Sequence, residues 1–330
     1  MNWGGGTWCA HPRLQTDEAF SSWLHRGALA NGVSDHTYCR HVLGERPSWD
    51  RDVDRYADVA MLASAMLATG EPLVRLQKSI MLNAQGRLFA THTTRGLLPW
   101  ILPLGVRGRR RAAFGQQFCP RCLAEPNAYF RLSWRFAWMT VCRRHGILLQ
   151  DACSGCASPV SIHRLFPLLA RGWVCPVCQR PLADLGQHAK SAAMRFQSRL
   201  ESAWRVGSTP WLGGKVSALA LFGGLRSLCR GLWTPAHSEG LVDLMPLPMR
   251  RKRPRRSTQG IEYWRLPVRM FAMDALRRTL EDWPHGFVAA AREHRIYRSH
   301  FDDRRSSAQP DWLEMALATL ERPHPNLSRR

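Results

Sequence analysis

Four short knuckles between residues 119 and 178 constrain this 330-residue chain more than any other feature. They are Cys119-Pro120-Arg121-Cys122, Cys142-Arg143-Arg144-His145, Cys153-Ser154-Gly155-Cys156 and Cys175-Pro176-Val177-Cys178. In each, two ligand-type side chains bracket two residues, so one tight turn aims both at a single ion. Zinc takes four thiolate or imidazole ligands in a tetrahedron, and two knuckles therefore close one structural site. The first two are separated by residues 123–141 and the last two by residues 157–174, the usual spacing of a paired-knuckle site. The spacing assigns Cys119, Cys122, Cys142 and His145 to one zinc ion and Cys153, Cys156, Cys175 and Cys178 to a second. A cross-braced pairing, first with third and second with fourth, is the alternative. Both sets are saturated, whereas a hydrolytic zinc keeps a position open for water, so the expected metal role is structural. Cys9, Cys39 and Cys229 lie outside the block and read as small buried hydrophobes.

Cysteines in paired knuckles belong to a reducing compartment. No apolar run is long enough to span a bilayer, and Met1-Asn2-Trp3-Gly4 has no secretory character, so the expectation is a soluble cytoplasmic protein with no membrane partner. Hydrophobic residues make up 45% of the chain, enough for real cores. Lysine and arginine number 47 against 25 acidic residues, and only Lys78, Lys190, Lys215 and Lys252 are lysines. Even discounting arginine inflated by base composition, this balance points to a polyanionic partner, and the expected one is nucleic acid.

Ahead of the block, Thr16 is placed to cap a helix starting at Asp17, with Phe20, Trp23, Leu24 and Ala28 on its apolar side and Asn31-Gly32 at its end. Ser34 or Asp35 caps a second helix carrying Tyr38, Val42 and Leu43. Two short helices around a glycine turn match a helix-turn-helix, although many such hairpins touch no DNA. A longer helix is expected over residues 52–68. Residues 96–111 read as a basic linker ending in Arg107, Arg109, Arg110 and Arg111. Between the first knuckles, Phe130, Trp134, Trp138 and Val141 recur at helical spacing and read as a packing face, with stacking on bases as the alternative. Arg131, Arg135, Arg143 and Arg144 are a candidate exposed phosphate set.

Past the block, helices are expected near 190–206 and 215–233. The run Arg250, Arg251, Lys252, Arg253, Arg255 and Arg256, broken by Pro254, reads as a solvated loop or as a phosphate-tracking arm. Val268, Phe271, Ala275, Leu276 and Leu280 form a stripe, Trp283-Pro284-His285-Gly286 a turn, and residues 287–295 and 310–320 two further helices. Gly213-Gly214-Lys215-Val216 lacks the Ser/Thr and the spacing of a phosphate-binding loop, and no nuclease-like carboxylate cluster or nucleophile elbow is recognisable, so no catalytic residue is assigned.

Three stretches resemble the TniQ family and its longer relative TnsD from bacterial transposons. They are residues 17–24 with 30–34, the zinc block with Phe118 through Cys122 and Tyr129 through Arg135, and residues 282–287. The resemblance implies a protein without chemistry of its own that selects a transposition target site. It would link target DNA, or a CRISPR guide-RNA complex, to an AAA+ ATPase of the TnsC or TniB type, in some members as a homodimer. Arg143 stands where the family often has proline, and Ala157 and Gln179 stand where glycine usually follows a knuckle. The chain is also short beside TnsD-type selectors. A stand-alone sequence-specific DNA-binding regulator is the alternative function.

The resulting expectation is a mainly α chain with small zinc-ribbon β elements. It has an N-terminal helix-turn-helix-like domain over 1–106, a tandem zinc-ribbon module over 107–187 and a C-terminal helical domain over 188–330 with the basic loop 250–256. Two structural Zn2+ ions and phosphate contacts from Arg107, Arg109, Arg110, Arg111, Arg250, Arg251, Lys252, Arg253, Arg255 and Arg256 complete it.

Overall fold

The computed structural model describes residues 10–46, 49–107, 110–168, 172–211, 214–232, 260–293, 296–301 and 309–320. The chain forms two compact units, one of residues 1–85 with 91–189, the other of residues 86–90 with 190–330.

The first unit begins with α1 (Phe20–Ala30) and α2 (Asp35–Leu43). Ser34 caps α2 by accepting from Thr37 N–H, as its position predicts. α1 starts later than expected. Asp17 adopts φ 60° and turns its carboxylate to Ser133, whose N–H and hydroxyl donate at 3.2 and 2.5 Å, so it is unavailable to a first helical turn. At Gly27 the two helices touch: a Cβ there would lie 2.3 Å from the Tyr38 ring. The expected 52–68 helix is two, α3 (Val53–Tyr56) and α4 (Val59–Thr69), because Ala57 is extended and Asp58 caps a new start through Met61 N–H at 2.8 Å. α5 (Leu73–Lys78) follows. Phe20, Trp23, Leu24, Tyr38, Val42, Met61 and Leu62 share one core.

Residues 98–104, read as linker, are packed instead: Leu98, Trp100, Ile101 and Leu102 are buried, and only then come β1 (Val106–Arg107) and β2 (Arg110–Arg111), an antiparallel pair. A short α6 (Pro120–Leu123) starts at the first knuckle. Residues 129–141 form no helix beyond a 3-10 turn at Ser133–Arg135. Their backbone groups are taken by neighbours remote in sequence: Phe130 O accepts from Ala19, Leu132 N–H donates to Asp17, and Ala137 N–H donates to Trp100. The packing reading survives this change, since Phe130, Trp134, Trp138 and Val141 are at most 1% exposed. Two further antiparallel hairpins complete the unit, β3 (Val141–Cys142) with β4 (Ile147–Leu148) and β5 (Phe166–Leu168) with β6 (Gly172–Val174).

In the second unit, α7 (Ser191–Val206) leads through a hairpin of β7 (Ser208–Trp211) and β8 (Gly214–Ser217) into α8 (Ala218–Leu232). The segment around Gly214-Lys215 is thus a strand. α9 (Leu266–Glu281), α10 (His285–Glu293) and α11 (Asp311–Leu317) follow the predicted pattern, with a cis bond at Trp283–Pro284 between the first two. Trp312 stacks edge-on against Trp211 and Trp283 with ring centres 5.0 and 5.2 Å away, and its Nε1 donates to Ala220 O. Arg226 and Glu262 form an ion pair at 2.7 Å with Glu262 buried. Among the described residues, no helix is long and apolar enough to cross a membrane.

Candidate metal centres

The first knuckle is built at a helix start. Cys119 precedes α6, and its Sγ accepts from Cys122 N–H at 3.4 Å. The second sits at the β3–β4 hairpin, where Gly146 at φ 65° closes the turn by donating to Cys142 O. Phe118 and Gln150 exchange backbone hydrogen bonds at 2.9 and 2.8 Å, which holds one knuckle against the other. Cys119, Cys122, Cys142 and His145 thereby converge with their ligand atoms within 4.8 Å of one another. His145 Nδ1 lies 3.5, 3.3 and 3.7 Å from the sulfurs of Cys119, Cys122 and Cys142, and the Cys122 and Cys142 sulfurs are 3.7 Å apart.

The second cluster has the same logic with four sulfurs. Cys153, Cys156, Cys175 and Cys178 also lie within 4.8 Å of one another, with Cys153–Cys178 at 3.5 Å and Cys156–Cys175 at 3.7 Å. Each knuckle closes by a bond from the residue after it: Ala157 N–H to Cys153 O, and Gln179 N–H to Cys175 O, both at 2.9 Å. That geometry requires a left-handed backbone, and Ala157 and Gln179 adopt φ 56° and 59°. These are the two positions at which the sequence lacks the family's usual glycine. The sequential grouping is the one the geometry brings together; the cross-braced alternative is not.

A tetrahedral ion with metal–sulfur bonds of about 2.3 Å holds its sulfurs about 3.8 Å apart, close to both spacings seen here. The donor sets suit such an ion, and either cluster can hold one. Without a cation the sulfurs of the first cluster cannot all ionise. Hydrogen bonds from Cys119 and Cys122 hold the Cys142 thiol far below the ordinary range, while Cys119, which gives up its hydrogen bonds to Cys122 and Cys142, is pushed far above it. A divalent ion would displace those protons.

Glu125 was not singled out by sequence. Its Oε1 lies 3.2 Å from His145 Nε2 and 3.0 Å from Arg144 Nη2, so it fixes the imidazole with Nδ1 toward the sulfurs. The only sequence signal was its position three residues after Cys122.

The basic candidates scatter. Arg135 is fully buried between Asp52 and Asp54, which removes it from an exposed set with Arg131, Arg143 and Arg144. Arg143 and Arg144 are exposed, and Arg131 lies over the Tyr129 ring at 5.0 Å. Arg111 departs from the exposed-run reading: it is 9% exposed and donates to Trp49 O at 3.1 Å. Arg107 and Arg110 pair across the β1–β2 hairpin. Arg109 and the 250–256 run lie outside the described residues, as does Cys9. Cys39 and Cys229 are buried, as read.

No curated protein matches the chain. Residues 9–149, from the segment before α1 through the end of the first metal cluster, match the sequence profile of TniQ. TniQ proteins are transposition-associated and generally non-catalytic. Through that region, somewhat under half of the chain, the sequence is similar to the TniQ family.

Proposed function

We propose that this protein is a non-catalytic target-site selector of the TniQ type. It links target DNA, or a CRISPR guide-RNA complex, to an AAA+ transposition ATPase of the TnsC or TniB type and so to the transposase. The observation that supports this reading is the family match over residues 9–149, which takes in both the α1–α2 helix pair and the whole Cys119/Cys122/Cys142/His145 cluster. The ions are two structural Zn2+. Each cluster offers four soft or borderline ligands and leaves no coordination position for a reacting water. Their role is to fold the knuckles, with binding free energy becoming folding free energy.

In this reading the helix pair serves protein docking or DNA contact. Arg107 and Arg110 on the β1–β2 hairpin, with Arg109 and the basic residues of 250–256, supply phosphate contacts, within a chain of formal net charge +22. The protein works in the cytoplasm at the nucleoid, in some assemblies as a homodimer. The test is a pull-down of the full chain with an AAA+ transposition ATPase of the TnsC or TniB type, with and without DNA and ATP. Nucleotide-dependent association is expected. No association, together with a defined DNA footprint made by the protein alone, would replace the selector with a stand-alone regulator.

A further inference from the structure

In the second unit, α7, the β7–β8 hairpin, α8 and α9 surround an open groove of about 450 Å3. That is within the range of about 300–1,000 Å3 typical of ligand sites. Its half-buried apolar surface comes from Phe196, Trp211 and Leu280, and its cations are Arg195, Arg199 and Arg277.

The charges are unequally used. Arg277 is bound to Glu281 at 2.5 Å and to Asp274 at 3.0 Å, which also neutralises the single acidic residue lining the groove. Arg195 and Arg199 are exposed and have no ion-pair partner among the described residues. They stand one turn apart on α7, where like charges at i and i+4 repel and weaken a helix. An anion in the groove would relieve that repulsion. Trp211 adds a third feature. Its ring lines the groove and is held edge-on by Trp312, which gives a ligand a fixed aromatic wall.

The matching ligand therefore carries an aliphatic or aromatic anchor and flanking carboxylates. Nucleic acid fits less well. Single strands bind by stacking successive bases on aromatic faces, whereas most of the apolar lining here is aliphatic, from Leu200, Leu221, Leu225 and Leu280. We propose that this groove is a docking site for an acidic peptide segment of a partner protein, with an apolar anchor set between carboxylates.

A phage-displayed random peptide library selected on the full, zinc-loaded chain tests this, with counter-selection on the Arg195→Glu/Arg199→Glu variant. Both side chains are exposed, so the variant is expected to keep the native circular dichroism and melting behaviour. Enriched peptides should combine Asp or Glu with Leu, Phe or Trp. A labelled synthetic peptide of the consensus should bind about tenfold more weakly to the double variant at least, and its affinity should fall with salt. Enrichment without an acidic bias, or equal recovery on native and variant protein, would overturn the proposal. So would labelled oligothymidylate binding through the same two arginines while the consensus peptide fails to displace it.

Discussion

Arg135 Nη2 lies 2.5 Å from Asp52 Oδ2, and the guanidinium that makes this contact has no exposed surface. Its other nitrogen reaches Asp54 at 3.4 Å, and both Nε and Nη2 donate to Leu102 O. The aromatic segment of the first metal cluster is tied here to the α3 helix. Arg135→Met would leave two carboxylates unpaired and should destabilise the zinc-loaded protein by about 3–5 kcal/mol in urea unfolding. Arg135→Lys should recover little, since one ammonium cannot replace the planar fork. Native-like stability in the lysine variant would refute the tie.

Asp54 is itself unusual. Burial, reinforced by the neighbouring Asp52 charge and opposed by Arg135, pushes its carboxyl up to about 6. Between the ordinary carboxylate value near 4 and 6, the folded state binds the proton more tightly than the unfolded one. Asp54 therefore contributes stability that is fully present below pH 4 and lost as pH rises toward 6. Asp54→Asn should remove this slope, a change of about 3 kcal/mol across the window. The quantity to compare is the difference between the two stability–pH curves, since zinc loss at low pH affects both alike.

Glu125 should set metal affinity without being a ligand. Glu125→Gln, which keeps the shape but loses the charge, is expected to weaken zinc at the Cys119/Cys122/Cys142/His145 site about 10–100-fold in competition with a chelator. The four-sulfur site should be unaffected and serves as the internal reference. Equal weakening of both sites would indicate a general fold defect instead.

Ala157 and Gln179 occupy left-handed backbone where a side chain costs about 1–2 kcal/mol. Ala157→Gly and Gln179→Gly should each raise stability by about 1 kcal/mol, visible as a higher melting temperature. The same substitution at Ala124, which ends α6 at an ordinary negative φ, should lower it or leave it unchanged.

Metal removal should be the most drastic perturbation. With zinc withdrawn by a strong chelator, the close-packed thiols have only weak mutual hydrogen bonds in place of about 10 kcal/mol per ion. Amide protection measured by hydrogen exchange should disappear across residues 118–189. Metal analysis of the native protein should give two zinc ions per chain, and persistence of that protection after complete demetallation would contradict a structural role.

The two Cys/His clusters were legible because knuckle spacing is a local property: two residues between the paired side chains already fix a turn. Helix ends were legible where the capping side chain stays local, as at Ser34, and illegible where it is recruited from afar, as at Asp17 by Ser133. The 129–141 segment shows why periodicity alone misleads. Its apolar residues recur at a helical interval and are all buried, but its backbone bonds run to residues 17–19 and 100–102. Arg135 looked like a surface cation because its partners, Asp52 and Asp54, lie more than 80 positions upstream. Glu125 had a readable position but no readable purpose until the imidazole beside it was placed.

Residues 86–90 interrupt the first unit and belong to the second, where the Arg87 guanidinium stands 5.3 Å from the Trp204 ring centre and Leu88 and Phe89 are buried. The two units are therefore not two consecutive stretches of gene. A recombination event with one crossover near residue 189 would import a foreign second half while retaining a five-residue fragment shaped for the old one. Mosaic relatives should inherit this pentapeptide from the same parent as α7, and any engineered chimera should move the two together.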